Sequence, residues 1–317
     1  MGAPKSLFVA AHGPVPPKAA NGTSCPRQAF VRLDASPHLG TLRRSVSHMN
    51  PRIAFIGGGN MASAILGGLL RQGHEVNRLI VVDPDEPTRA RHAAQGIVTL
   101  AQADATLADA DVVVWAVKPQ SFRQAATPVS EHTARALHLS VAAGIRSDSI
   151  AAWLGSQRIV RAMPNTPALI GQGISGLFAR TGVSAQDRVT IERVLATTGS
   201  TIWLADEAQL DAVTALSGSG PAYVFYFLEA MTTAGAEMGL SREHAYQLSL
   251  ATFRGASLLA EQSGEAPQVL RQRVTSKGGT THAAIRSMED NDMRALFIEA
   301  IYAARDRART LGDDYGN

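Results

Sequence analysis

A six-residue glycine turn between a strand-like run and an amphipathic helix constrains the fold of this chain more than any other feature. The apolar run Arg52–Ile56 is followed without a gap by Gly57–Ala62, which has the spacing G-x-G-x-x-A. Apolar residues then recur at helical spacing as far as Leu70, and Gly73 is suited to end that helix. Strand, glycine turn and helix in this order predict the first unit of a dinucleotide-binding domain.

The residue types in the turn match what a bound pyrophosphate requires. Gly57 permits a tight turn, Gly59 lets the backbone approach the phosphates, and Ala62 lets helix and strand pack closely. The helix N-terminus adds free N–H groups and a partial positive charge. The spacing alone is weakly specific, but its place at the start of an alternating strand–helix pattern makes it a strong indication.

The second strand-like run, Arg78–Asp83, ends on an acid. An aspartate at this position usually accepts hydrogen bonds from the adenosine ribose and disfavours a 2′-phosphate. Arg89 and Arg91 follow closely and are able to neutralise such a phosphate. The sequence therefore favours NAD without excluding NADP.

A central strand is predicted over residues 110–117, with Lys118 and Pro119 at its carboxyl end. Ligands of open α/β sheets bind beyond the carboxyl ends of the strands, so Lys118 is a candidate for contact with the coenzyme. The alternative for Lys118 is an ordinary solvated loop lysine. Further strands are predicted over residues 137–143 and 158–163, and, near the edge of the sheet, over 173–179 and 200–204.

After Asp206 the strand pattern gives way to helices, predicted over residues 208–216, 221–238, 241–262, 266–274 and 288–311. Pro221 suits a first helical turn and Ser241 suits an N-cap. The segment 221–238 is apolar nearly all round, so we expect it to be buried on every side, partly by a partner subunit. Homodimerisation through this helical domain follows from that expectation.

Two Gly/Ser-rich loops in this half, 216–221 and 274–281, lead directly into predicted helices. Each places backbone N–H groups and hydroxyls at a helix N-terminus, an arrangement that holds carboxylates or phosphates. The alternative for either loop alone is ordinary helix capping. Two such loops beside a nucleotide-binding half favour a site.

Residues 1–48 differ in character from the rest of the chain. They contain six prolines and carry a net charge of +5. The whole chain carries +3, so the remaining residues carry −2. We expect this segment to be disordered, since it has no sustained periodicity. It is interpreted either as a transit peptide or as an extension from an early start codon with initiation at Met49.

Composition excludes several classes of protein. No apolar run approaches the length of a membrane helix. The single cysteine, Cys25, excludes an intramolecular disulfide and a cysteine-based zinc site, and we expect no metal. The slightly acidic body and an aromatic content of 5% disfavour a nucleic-acid-binding module. We expect a soluble, cytoplasmic protein.

Five sequence motifs resemble those of the pyrroline-5-carboxylate reductases, which catalyse the last step of proline synthesis. The resemblance runs from about Pro51 to Leu311, and the last two of its motifs together are distinctive. The motifs are IGGGNMA (56–62), AVKP (116–119), AMPNTP (162–167), ALSGSGPAY (215–223) and VTSKGGTT (274–281).

The resemblance implies a Rossmann domain, a helical dimerisation domain and often a ring of dimers. It implies that Ser276 and the backbone N–H groups of its loop take the substrate carboxylate, and that Thr281 hydrogen-bonds the ring nitrogen of the imine. The implied catalytic residues are Ser276 and Thr281, and the substrate-binding residues are Ser276, Gly278, Gly279, Thr280 and Thr281. The implied coenzyme-binding residues are Gly57, Gly58, Gly59, Asn60, Met61, Ala62, Asp83, Ala116, Val117, Lys118, Pro119 and Asn165, the last near the nicotinamide.

Lys277 departs from the family, which usually has proline at this position of the loop. A lysine there loosens the turn and adds a cation beside an anionic substrate. The departure bears on the rigidity of the loop more than on its role.

The residues in these loops suit the reduction of a cyclic imine. This reaction needs a hydride at the C=N carbon and a proton on the nitrogen. Because solvent readily protonates an imine, the protein mainly has to orient the coenzyme and the substrate, and hydroxyls and amides suffice for that. A β-hydroxyacid dehydrogenase, the alternative enzyme, needs a proton donor such as a helix lysine, but the helical half contains only Lys277. The alternative from another class is a redox sensor that binds the coenzyme without turnover. Such a sensor needs only the first half of the chain, so the two loops of the second half argue against it.

Together these features predict an α/β protein with an N-terminal doubly wound Rossmann sheet and a C-terminal all-helical dimerisation domain. The predicted divisions are residues 1–48, 50–208 and 209–317. The expected activity is reduction of 1-pyrroline-5-carboxylate to L-proline with NADPH or NADH, in a homodimer that assembles into a larger ring.

Overall fold

The computed structural model of the chain describes residues 50–315, and the predictions for residues 1–48 lie outside this range. The strands are β1 (Ile53–Ile56), β2 (Leu79–Val82), β3 (Val98–Leu100), β4 (Val112–Trp115), β5 (Leu137–Ser140), β6 (Ile159–Met163), β7 (Gly173–Ala179) and β8 (Gly199–Trp203). The helices between them are α1 (Asn60–Arg71), α2 (Glu86–Ala93), α3 (Phe122–Ser130), α4 (Ser147–Leu154) and α5 (Ala185–Ala196). The later helices are α6 (Gln209–Val213), α7 (Gly220–Glu237), α8 (Arg242–Ser263), α9 (Pro267–Arg273), α10 (Thr280–Asp290) and α11 (Met293–Tyr315).

The strands form one sheet in the order β3-β2-β1-β4-β5-β6-β7-β8. All neighbours among the first six strands in the chain are parallel, β7 runs antiparallel to β6, and β8 is parallel to β7. The order 3-2-1-4-5-6 is that of a doubly wound nucleotide-binding sheet, and the strand order reverses between β1 and β4. The predicted fold class is confirmed.

Alternate residues of the central strands face opposite sides of this sheet, and each side is covered by helices. Ile53 and Phe55 of β1 point into a cluster with α1 and α5, whereas Ala54 and Ile56 point into a cluster with α3 and α4. The continuous apolar runs in the sequence follow from this burial on both faces.

Helix α1 ends where the sequence predicts. Gly73 has a φ of +83°. Its N–H donates to the carbonyl of Leu70, and the N–H of His74 donates to that of Leu69, each at 3.0 Å. This pair of bonds is a Schellman motif, in which glycine at the left-handed position is favoured. The predicted N-cap of α8 is also confirmed, since Ser241 Oγ accepts from the N–H of His244 at 3.1 Å.

Three parts of the chain differ from the prediction. Strand β3 was not predicted, because it is only three residues long and partly exposed at the edge of the sheet. The predicted helix 288–311 is two helices, separated where Asp292 has a φ of +52°. The predicted loop 216–221 is largely helical, because Thr214–Gly218 forms one π-helical turn that leads into α7.

The apolar helix α7 is not buried on every side within this chain. Phe225 is 58% and Tyr226 is 70% exposed, and large apolar side chains of α8 and α11 are also exposed. Leu228 and Thr232 are buried, on the face where α7 packs against α8 within the chain. The single chain therefore covers only part of the helix, and the cover expected from a partner subunit remains a prediction.

Candidate active site

The glycine turn after β1 lies against the end of β4. Gly57 has a φ of +92°, and a Cβ added there would lie 2.6 Å from the carbonyl oxygen of Ala116. Its N–H donates to the carbonyl of Val82 at the end of β2. Both the backbone conformation and the close approach require glycine at position 57.

The N-terminus of α1 is open toward the space beyond the sheet. A Cβ added at Gly59 would have no neighbour within 4 Å. No described side chain caps this helix, and its first turn holds no acidic residue. Its first N–H groups therefore suit an anionic group such as a pyrophosphate, so the turn 57–62 fits a dinucleotide.

Asp83 holds the glycine turn from the end of β2. Its Oδ2 accepts from the N–H of Gly58 at 2.7 Å, and its Oδ1 accepts from the N–H of Asp85 at 2.9 Å. The carbonyl of Gly58 lies 2.9 Å from a guanidinium nitrogen of Arg91 and 2.8 Å from Nε2 of His92. Both the N–H and the carbonyl of Gly58 are thus fixed by protein side chains.

His92 is the residue of this arrangement that the sequence analysis missed. It is buried, and because its Nε2 faces a carbonyl, that nitrogen carries the proton in the neutral ring. No motif marks it, since its partner Gly58 is 34 residues away in the chain. Helical spacing is the only local signal, because His92 lies on the buried side of α2.

Arg89 and Arg91, which the sequence makes available to neutralise a 2′-phosphate, both donate to backbone carbonyls. Arg89 donates to the carbonyls of Asp83 and Pro84, each at 2.8 Å, and pairs with Glu86. Arg91 donates to Gly58. Both guanidinium groups therefore stabilise the loops around the end of β2.

The segment 116–119 lies next to the glycine turn, as the parallel pairing of β1 and β4 requires. The N–H of Ala116 donates to the carbonyl of Ile56 at 2.8 Å. Val117 and Pro119 are half-buried. Lys118 is exposed at the start of a short 3₁₀ turn.

Asn165 follows β6 at the same edge of the sheet. Its side-chain oxygen accepts from the N–H of Ile174 at 3.0 Å and so fixes the start of β7. The 3₁₀ turn 166–170 that follows packs on α1. The structure therefore gathers Gly57–Ala62, Asp83, Ala116–Pro119 and Asn165 along the carboxyl edge of the parallel strands.

The loop 276–281 lies in the helical part and forms a tight turn before α10. The N–H of Gly279 donates to the carbonyl of Ser276 at 3.0 Å, and Gly278 has a φ of +77°. A positive φ at the third residue is typical of a type II turn, whose second position, Lys277 here, favours proline. Helix α10 begins at Thr280, and no described side chain caps it.

Thr281 is half-buried in the first turn of α10, while Ser276 and Thr280 are exposed. Gly279 lies close to Ser276, because a Cβ added at Gly279 would be 2.8 Å from Ser276 Oγ. Within residues 50–315, no hydrogen bond or ion pair joins this loop to the glycine turn. The structure thus brings the expected coenzyme residues together at one edge of the sheet. Within the described residues, no hydrogen bond or ion pair connects the glycine turn among them to the expected substrate loop.

A buried ion pair that the sequence analysis missed connects the sheet to the segment before α6. Arg161 of β6, only 5% exposed, donates to Glu207 at 2.6 Å. Glu207 also accepts from the N–H and the hydroxyl of Ser147. Burial lowers the pKa of Arg161, and the nearby Glu207 carboxylate opposes that shift. A charged residue inside the strand pattern 158–163 is the signal that indicates such a partner.

No described group of three or more His, Cys, Asp or Glu side chains is placed to hold a metal ion. Among the helices of residues 50–315, none combines the length and apolar character needed to cross a bilayer.

Comparison with known proteins identifies both halves. Residues 207–311 match the family model described as pyrroline-5-carboxylate reductase dimerisation. Residues 52–144 match the model described as NADP oxidoreductase, coenzyme F420-dependent. The helical part therefore carries the dimerisation domain of a homo-oligomeric family.

Relatives cover nearly the whole described chain. A pyrroline-5-carboxylate reductase of Pseudomonas aeruginosa is 47% identical over 84% of this chain and 98% of its own length. That of Arabidopsis thaliana is 36% identical over 82% of this chain and 95% of its own. A solved pyrroline-5-carboxylate reductase of Coxiella burnetii superposes with a TM-score of 0.77 at 38% identity, covering 83% of this chain and 98% of that structure. Because this identity extends over both domains and over nearly the full length of each relative, the chain belongs to the pyrroline-5-carboxylate reductase family.

Proposed function

We propose that this chain reduces 1-pyrroline-5-carboxylate to L-proline with NADH or NADPH, the last step of proline biosynthesis. The observation that carries this proposal is the 47% identity to the Pseudomonas aeruginosa reductase over 98% of that enzyme. A solved relative from Plasmodium falciparum, 27% identical with a TM-score of 0.74, has NADP bound. The open helix N-terminus after the glycine turn supports a nicotinamide dinucleotide as the coenzyme of this chain as well.

The coenzyme-binding residues are proposed to be those along the carboxyl edge of the sheet. The N–H groups of Gly59–Ala62 hold the pyrophosphate, and Asp83 accepts from the adenosine ribose. Ala116–Pro119 and Asn165 line the nicotinamide side. The coenzyme, when bound, supplies the hydride that the imine carbon accepts.

The substrate residues are proposed to lie in the loop 276–281. Ser276 and the N–H groups of Gly278 and Thr280 bind the substrate carboxylate, because a helix N-terminus without a side-chain cap attracts an anion. Gly279 contributes by holding the turn, since its own N–H donates to the carbonyl of Ser276. The Thr281 hydroxyl hydrogen-bonds the ring nitrogen and holds the imine in one orientation. The nitrogen receives its proton from solvent, and the chain contributes mainly position.

The quaternary structure follows from the exposed apolar helices. We infer that the helical part forms a homodimer whose interface covers residues such as Phe225 and Tyr226, and that dimers assemble further into a ring. The proposed boundary between the two domains lies after residue 208, between the end of β8 at Trp203 and the start of α6 at Gln209. The proposed location is the cytoplasm.

The direct test is oxidation of NADH and NADPH by the full chain in the presence of 1-pyrroline-5-carboxylate, followed by nicotinamide absorbance, with proline identified as the product. Turnover that depends on the imine is the expected result. Binding of coenzyme without turnover would contradict the proposal and would favour a sensor or a different imine or carbonyl substrate.

A further inference from the structure

The carbonyl oxygen of Gly58, the second residue of the glycine turn, is held by two side chains of α2. His92 Nε2 donates to it at 2.8 Å, and a guanidinium nitrogen of Arg91 donates to it at 2.9 Å. A carbonyl oxygen has two lone pairs, so these two donors match its capacity. The last turn of α2 therefore sets the direction in which this carbonyl points.

The direction of the Gly58 carbonyl also determines how α1 begins. The peptide between Gly58 and Gly59 is trans, so the N–H of Gly59 points away from the Gly58 carbonyl and hence away from α2. Gly59 is the N-cap of α1, and a Cβ added there would have no neighbour within 4 Å. Fixing this one peptide therefore orients the uncapped end of α1 toward the open space in which the pyrophosphate is proposed to bind.

The imidazole of His92 also packs closely against the turn. A Cβ added at Gly58 would lie 3.0 Å from both Cδ2 and Nε2 of His92, and 2.7 Å from Cγ2 of Thr88. The middle position of the G-x-G spacing accepts other residues in the general pattern, but here the neighbouring side chains leave little room for one. The position of the turn and that of the imidazole therefore depend on each other.

Packing alone does not account for a histidine at position 92. Its side chain is 1% exposed, and within residues 50–315 its second nitrogen, Nδ1, is buried without a hydrogen-bond partner. A buried polar atom without a partner lowers stability, so an apolar side chain of similar volume would suit this place better. What the imidazole adds is the hydrogen bond from Nε2 to Gly58.

We propose that His92 is a positioning residue for the coenzyme, because its Nε2–H keeps the Gly58 peptide, and with it the first turn of α1, in the orientation that receives the pyrophosphate. The imidazole is too deeply buried to touch a ligand, so its effect passes through Gly58. This inference rests on the proposed function only in taking a nicotinamide dinucleotide as the ligand. It applies equally to NADH and NADPH, since both contain the pyrophosphate.

The test compares coenzyme binding by the full chain and its variants, using titration calorimetry with NADH and with NADPH. His92→Leu removes the donor at similar volume, and both dissociation constants should rise about three- to tenfold, as for the loss of one hydrogen bond. The melting temperature should change little, because the unpartnered Nδ1 is removed together with the bond. His92→Gln keeps an N–H donor of similar reach and should restore most of the affinity.

His74→Leu is the matched control. His74 is a partly buried histidine just beyond the other end of α1, far along the helix from Gly58, so its loss should leave coenzyme affinity unchanged. At saturating coenzyme, His92→Leu should keep the KM for 1-pyrroline-5-carboxylate of the unchanged chain, whereas a disturbance that spread through the fold would alter it.

Unchanged coenzyme affinity in His92→Leu would overturn the inference, and so would an equal loss in His92→Gln or in His74→Leu. If the leucine variant does not fold, His92→Phe takes its place, since phenylalanine also lacks a donor. A chain that folds with neither residue would assign His92 to stability and would equally refute a positioning role. Coenzyme binding that depends on His92, without reduction of 1-pyrroline-5-carboxylate, would refute the proposed function but not this inference.

Discussion

The indole N–H of Trp115 on β4 donates to Nδ1 of His138 on the neighbouring strand β5, at 3.2 Å, and both side chains are buried. The imidazole is therefore neutral, since Nδ1 has to keep its lone pair to accept this bond. Burial, and to a smaller extent the positive charge of Arg158, lowers the pKa of His138 from 6.5 to about 4. This histidine belongs to the core of the sheet and lies outside the proposed site.

The first prediction concerns acid stability. Below a pH of about 6.5 the unfolded chain binds a proton at His138 that the folded chain binds only near pH 4. The free energy of unfolding should therefore fall as the pH drops from 6.5 to 4, by up to about 3 kcal/mol from this residue. Urea unfolding at fixed protein concentration across this pH range measures the slope.

His138→Gln is the matched variant, because glutamine retains an acceptor for Trp115 but does not titrate. Its unfolding free energy should fall less steeply over the same range, whatever its absolute stability. An identical slope in both proteins would show that other groups cause the acid sensitivity.

A second prediction separates two glycines of the same turn. Gly57→Ala should lower the free energy of unfolding by about 1–3 kcal/mol, because φ is +92° and the methyl group would lie 2.6 Å from Ala116 O. Gly59→Ala should leave stability nearly unchanged, since φ is −69° and the methyl group has no neighbour. It should instead weaken coenzyme binding about tenfold or more by filling space needed by the pyrophosphate.

Thermal unfolding and coenzyme titration of both variants check these expectations. Unchanged coenzyme affinity in Gly59→Ala would mean that the dinucleotide does not approach this turn.

The third prediction concerns the ion pair between the sheet and the segment before α6. Glu207→Ala should cost about 3–5 kcal/mol of folding free energy, because Arg161 stays buried with its charge unpaired. The double variant Arg161→Met, Glu207→Ala should recover part of this loss, since no charge is then buried. A double-mutant cycle in urea, at fixed protein concentration, gives the coupling energy. Additive losses in the two single variants would contradict a coupled pair.

The sequence predicted the sheet because the periodicity of each buried strand is local. The glycine turn marked β1, and the carboxyl ends of parallel strands then placed Asp83 and Lys118 at one edge. Asn165 was expected there only from the family resemblance. Those inferences need only short stretches of sequence and the rules of parallel pairing.

What the sequence did not predict depends on partners far along the chain. Arg161 and Glu207 are 46 residues apart, and His92 and Gly58 are 34 apart. The end of the π-helical turn Thr214–Gly218 was predicted as part of the loop 216–221, because serine and glycine there are typical of a helix end. The exposure of Phe225 and Tyr226 shows a further limit, since apolar periodicity indicates burial but not whether the cover comes from the same chain.

The last prediction tests the loop 276–281. Thr281→Val removes the hydroxyl and keeps the shape of the side chain, so turnover should fall about 10- to 100-fold, as for the loss of one hydrogen bond to a charged group. Coenzyme affinity should stay unchanged, because within the described residues no hydrogen bond or ion pair connects this loop with the glycine turn. Thr281→Ser, which keeps the hydroxyl, should retain most of the activity. Steady-state kinetics with 1-pyrroline-5-carboxylate and coenzyme titration distinguish these effects. Equal losses of turnover in both variants would remove the hydroxyl from the proposed mechanism. A loss of coenzyme binding in Thr281→Val would instead place this loop at the coenzyme.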